Sequence, residues 1–171
     1  MQPPAESITW LNMLVYGEPG VGKTHLIGTA QDHKKTAPLM IIDIDGGVST
    51  LRKRSDVDVI QVRSVGQLVQ AYRTLYNAIP SDGKPFPYGT VAIDTLSELQ
   101  SLDLAEVMAG FARTNERIDP DVPDMRGYGK SASHMREIVR CFRDLPCNTI
   151  FAAHSETDRD NNMRMINKIK L

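Results

Sequence analysis

Gly17-Glu18-Pro19-Gly20-Val21-Gly22-Lys23-Thr24 is the stretch on which the reading of this chain turns. It meets the spacing G-x-x-x-x-G-K-[ST] at every fixed position. Glycines at 17, 20 and 22 let the backbone turn tightly with its N–H groups pointing inward, where side chains would obstruct an anion. Lys23 then places an ammonium where β- and γ-phosphates would lie, and the Thr24 hydroxyl is a candidate Mg²⁺ ligand. A helix opening at the anion adds free N–H groups and a positive dipole end. The candidate binding set is therefore Gly17, Glu18, Pro19, Gly20, Val21, Gly22, Lys23, Thr24 and the adjoining His25.

The flanks suit the motif. Residues 8–16 are mostly apolar and read as a buried strand running into Gly17. Residues 23–31 contain no proline and keep Leu26, Ile27 and Ala30 for one helix face. A glycine- and proline-rich turn could match the pattern by accident, but it would not carry both flanks.

Further strands are expected at 39–45, 57–62, 90–95 and 148–154, all rich in apolar or β-branched residues. Helices are expected after Ser64, at 96–113 and at 131–145, the last capped by Ser131 or Ser133 and stopped by Pro146. On the helix after Ser64, Val65, Leu68, Val69, Tyr72, Leu75, Tyr76 and Ile79 form the apolar stripe. Residues 80–89 hold three prolines and two glycines and read as a surface loop. Residues 114–129 read as the least regular segment and 155–162 as a polar turn, with one more strand at 163–171. Residues 1–7 read as a frayed start. Strands alternating with helices predict right-handed crossovers and a mostly parallel sheet covered on both faces, with ligands beyond the strand carboxyl ends.

The polar residues at those strand ends are the chemical candidates. Asp94 closes an apolar strand and can hold Mg²⁺ opposite Thr24; the alternative is that it caps the next helix. Asp43 and Asp45 alternate along one strand and share a face. Asp45 is the preferred base for polarising an attacking water, and the alternative is a turn acid before Gly46-Gly47. His154 can touch a γ-phosphate, or be a strand-end histidine bonded to backbone. Residues 113–143 carry seven Arg and Lys side chains with Tyr128 between two glycines, a mix that suits single-stranded nucleic acid. Asp119, Asp121 and Asp124 dilute that charge, and a solvated helix face accounts for much of the arginine.

With these residues in place, the chain resembles RecA-like phosphate-loop ATPases, and most of all the phage-encoded AAA-family ATPases of single-strand annealing and recombination. The resemblance rests on 17–24, the 40–45 strand with its Gly-Gly, 91–94, Tyr128-Gly129-Lys130 leading into a helix, and 150–154. It implies an α/β, three-layer P-loop NTPase fold with a mostly parallel central sheet, spanning 1–171 as one RecA-like domain. The family core normally continues further, which makes Leu171 a candidate truncation point. It also implies an ATP hydrolase with ATP and Mg²⁺ as cofactors, single-stranded DNA as partner, a homo-oligomer, and a single-strand DNA-binding protein as candidate partner. Lys23, Asp45 and His154 become the catalytic candidates, Thr24 and Asp94 the metal ligands, and Arg126, Tyr128 and Lys130 the DNA contacts. RecA-like proteins carry a glutamate where Asp45 stands and a glutamine where His154 stands, so two positions depart from the pattern.

Composition is consistent with this. The 171 residues are 41% hydrophobic and 24% charged with a net charge of −1, so no global basicity draws the chain to nucleic acid and any such site must be local. No run is long enough to cross a bilayer and residues 1–7 carry no signal-peptide pattern, from which a cytoplasmic location is expected (host cytoplasm for a phage protein). Cys141 and Cys147 fit no metal motif and read as buried thiols. The competing reading is a P-loop small-molecule or nucleotide kinase, with Asp43 and Asp45 orienting an acceptor hydroxyl. A GTP switch is disfavoured because Asn167-Lys168-Ile169-Lys170 lacks the guanine-reading Asp.

Overall fold

Apolar runs such as those at 39–43 and 90–94 must bury both of their faces, and a parallel sheet between two helical layers is how a chain of this length does so. The computed structural model describes residues 10–51, 53–159 and 165–169. The expectations for residues 1–9, 160–164 and 170–171 lie outside the described residues. Six strands are present: β1 (Asn12–Gly17), β2 (Leu39–Asp43), β3 (Asp58–Gln61), β4 (Thr90–Asp94), β5 (Asn148–Arg159) and β6 (Met165–Ile169). The helices are α1 (Lys23–Gly28), α2 (Val65–Asn77), α3 (Leu96–Thr114) and α4 (Met125–Arg143). The parallel order is β1-β5-β4-β2-β3, and β6 pairs antiparallel with the far end of β5.

This is a three-layer α/β P-loop NTPase fold. On one sheet face Met40, Ile42, Val91, Ile93 and Phe151 pack against Leu68 and Leu75 of α2, Leu99 of α3, and Met135 and Phe142 of α4. On the other face Leu39, Ile41, Ala92, Ile150 and Ala152 receive Ile27 and Leu51. Because β5 lies between β1 and β4, the phosphate loop, His154 and Asp94 end side by side at one edge of the sheet.

Several local expectations need correction. β1 is half-exposed rather than buried, since Leu14 and Tyr16 alternate outward at the margin of the described sheet. The helix after the loop is only six residues long and passes into a 3₁₀ turn at Thr29–Asp32, which leaves Leu26 on the surface. In α2 it is Leu68, Ala71 and Leu75 that are buried, whereas Val69 and Tyr76 face out. β2 ends at Asp43, so Asp45 lies past the strand and does not share a strand face with Asp43. Ser155 is no turn: β5 continues to Arg159 because β6 pairs with it.

The largest difference is α4. It begins at Met125, capped by the Asp124 side chain accepting from Gly127 N, and neither Ser131 nor Ser133 is its cap. The reason is tertiary. α3 and α4 pack as an antiparallel hairpin in which a Cβ on Gly127 would stand 2.5 Å from Met108 Sδ, so glycine is there for close helix approach and not to break the helix. Arg126, Tyr128 and Lys130 therefore project from a helix, not from a flexible loop. Cys147 is buried and Cys141 partly so, both as free thiols.

Candidate functional site

The cleft at the carboxyl ends of the strands has a volume of about 230 Å³. The loop from β1 to α1 forms one wall, and Gly20 and Gly22 hold φ of +78° and +100° there, values that side chains resist. Pro19, Gly20, Gly22, Lys23, Thr24 and His25 line the cleft. Gly17 and Glu18 take part through their carbonyls, which accept from Lys23 Nζ at 2.9 and 3.0 Å. Val21 is exposed and does not line the cleft. Lys23 itself is buried, and its ammonium also meets His154 Nδ1 at 3.2 Å.

Thr24 Oγ1 donates to Asp94 Oδ2 at 2.6 Å. Asp94 ends β4 fully buried, and burial pushes its carboxyl above the usual range, opposed by the Thr24 hydrogen bond and reinforced by Asp43 and Asp45. It is not the cap of α3: that role belongs to Thr95, whose hydroxyl accepts from Glu98 N. A Cβ on Gly47 would stand 3.2 Å from Thr24 Oγ1 and 4.0 Å from Asp94 Oδ2, so a glycine keeps space open over this oxygen pair. A hydroxyl and a carboxylate with free space beside them fit a hard, oxygen-seeking cation such as Mg²⁺.

Asp43 and Asp45 divide the two readings of their stretch. Asp43 is the turn acid: wholly buried, it accepts from Gly46 N at 2.8 Å, and burial raises its carboxyl against the lowering effects of that bond and of Arg63. Asp45 reaches the cleft, with Oδ2 3.5 Å from His154 Nε2. Lysine can only donate, so His154 Nδ1 accepts from Lys23, and in the neutral ring the proton sits on Nε2, facing Asp45.

Four contributors were not visible in the sequence. Ser97 Oγ accepts from His154 N at 2.8 Å and fixes the end of the inter-strand ladder. Glu98, in the first turn of α3, brings a carboxylate oxygen within 4.8 Å of the facing atoms of Asp45 and His154. Ser49 and Thr50 line the outer wall. Ser97 and Glu98 arrive through the placement of α3 beside β5, which no local pattern encodes, and Ser49 and Thr50 arrive with the turn at Gly47–Leu51.

Arg126, Tyr128 and Lys130 are not part of this cleft. Arg126 and Lys130, one helical turn apart, place their cations 5.5 and 5.3 Å from the centre of the Phe111 ring on α3. Tyr128 is half-exposed and Met125 almost fully so. Among the described residues, no helix is long and apolar enough to cross a membrane.

A search of curated proteins finds no match to this sequence. A family model described as an AAA domain matches residues 9–170, which takes in every element of the cleft. With its phosphate loop, paired Thr24 and Asp94, and strand-end acids brought to one edge of a parallel sheet, the chain belongs to the AAA domain family of nucleotide-binding ATPases.

Proposed function

We propose that this chain is a Mg²⁺-dependent ATPase that binds single-stranded DNA and supports strand annealing or recombination as a homo-oligomer. The observation that carries the hydrolytic part is the contact series Lys23–His154–Asp45 within one cleft. Lys23 and the loop amides bind the phosphates. Thr24 and Asp94 would hold Mg²⁺, which would supply neutralising charge to the phosphate oxygens. Asp45 takes the proton of the attacking water, and the Nε2–H of His154 orients its carboxylate toward that water. A kinase would use the same acids to hold an acceptor hydroxyl and would need basic residues closing over the phosphates, but among the described residues Arg126 and Lys130 lie on α4 and do not line the cleft.

The DNA part is supported by Arg126 and Lys130 beside the half-exposed Tyr128 on α4, cations for phosphates next to a ring for a base. ATP turnover measured with and without single-stranded DNA tests the proposal. Turnover that rises with DNA supports it. Phosphate transfer to a small hydroxyl compound in place of water would put the kinase in its stead.

A further inference from the structure

Asp45 lies beyond the end of β2, where no strand ladder holds it, yet its carboxylate must face a water with an accuracy of well under an ångström. The segment from Asp43 to Gly47 is nonetheless fixed at several atoms. From the sheet side, Asp94 O accepts from Ile44 N at 2.7 Å and from Asp45 N at 3.3 Å. From below, Asp43 Oδ1 accepts from Gly46 N at 2.8 Å, which closes the turn at a glycine with φ of +80°. From outside, Arg63 Nη1 donates to Ile44 O at 2.8 Å. Arg63 is itself anchored, since its backbone N–H donates to Gln67 Oε1 at 2.7 Å in the first turn of α2.

We infer that Asp43 and Arg63 are positioning residues that clamp the turn carrying Asp45, one from inside the sheet and one from its surface. Stability does not account for Asp43. It is wholly buried at the end of an apolar strand, and its Oδ2 has no hydrogen-bond partner among the described residues, so an apolar side chain would suit the fold better. What an apolar residue cannot supply is the acceptor for Gly46 N. The same turn seats Gly47 against Thr24 and Asp94, so the clamp sets the candidate base and the roof of the metal pair together. Neither clamp residue lines the cleft.

The inference rests on the proposed ATPase reading for its kinetic part and on geometry alone for its structural part, and the experiment separates the two. Arg63 is exposed, so Arg63→Ala leaves the core intact. We expect it to lower kcat about tenfold or more while ATP affinity stays within about twofold. Arg63→Lys, whose ammonium can still donate to Ile44 O, should recover most of the rate. Amide hydrogen exchange gives a readout independent of activity: Gly46 N–H should exchange faster in Arg63→Ala and in Asp43→Ala, and keep its protection in Asp43→Asn, which retains the acceptor. A wild-type rate in Arg63→Ala, a loss of ATP affinity in step with its rate, or an unchanged Gly46 exchange would each overturn the clamp. If the unmodified protein turns over no ATP, the ATPase reading falls, and Gly46 exchange in the same variants still decides the clamp.

Discussion

Thr24 and Asp94, 70 positions apart in the chain, are joined by a 2.6 Å hydrogen bond from hydroxyl to carboxylate. The bond exists because β5 slots between β1 and β4 and brings the start of α1 level with the end of β4. Burial holds the Asp94 carboxyl above its ordinary range. The pair makes chemical sense as a place for a cation.

That burial has a consequence for stability without metal. For a carboxyl raised on folding, the protonated form is favoured in the native state. Its contribution is full below the unfolded value of about 3.8 and is lost as pH rises through the native one. At pH 7 Asp94 therefore penalises the fold relative to acid. Asp94→Asn in EDTA should raise Tm by about 2–4 °C, as ~1 kcal/mol does in a chain of this size. The gain should shrink as pH falls toward the unfolded value. Thermal unfolding of both proteins across pH checks it, and a gain that grows in acid contradicts it.

Lys23→Ala should abolish tight ATP binding. The ammonium is buried and held by two carbonyls of its own loop, and among the described residues no other Lys or Arg lines the cleft. A loss of about 100-fold or more in Kd is expected from charge-assisted bonds to phosphate. Calorimetric titration with ATP measures it, and unchanged affinity would refute the assignment of the loop.

Asp45→Asn should bind ATP normally and turn it over about 100-fold more slowly or worse, as loss of a general base does. The amide keeps the size and the contact with His154 but cannot accept the proton. Phosphate release under saturating ATP is the measurement; a wild-type rate removes Asp45 as base.

Gly47→Ala adds a methyl 3.2 Å from Thr24 Oγ1 at a position without positive φ. Backbone strain is therefore not at issue, and the effect falls on the Thr24–Asp94 pair. A drop of about tenfold in Mg²⁺ affinity with little change in Tm is expected, in the range seen when groups around metal ligands are altered. Mn²⁺ binding followed by electron paramagnetic resonance, with and without nucleotide, reports it.

The double substitution Arg126→Ala with Lys130→Ala should weaken single-stranded DNA uniformly across sequences. Each lost phosphate contact flattens the dependence of log affinity on log salt by about 0.7. Fluorescence anisotropy over a salt series measures both. An unchanged slope would take the α4 cations out of the interface.

Much of this architecture was legible in the sequence, and where legibility failed the cause was tertiary. Gly17–Thr24, the apolar run ending at Asp94 and the one ending at His154 announce themselves because strand burial and loop chemistry leave local patterns. The start of α4 did not, since Gly127 and Gly129 read as breakers until Met108 is seen seated against the former. Asp43 and Asp45 looked equivalent by alternation. β2 ends between them, and that boundary is set by Arg63 and by Asp94 O from other elements. Ser97 and Glu98 enter only through the placement of α3 beside β5.

β5 passes without a break from the core through His154 to Arg159, where β6 lies along it. The histidine that touches Lys23 pairs with β1, and the next residue, Ser155, already pairs with β6, so the cleft and the β5–β6 ribbon share one uninterrupted backbone.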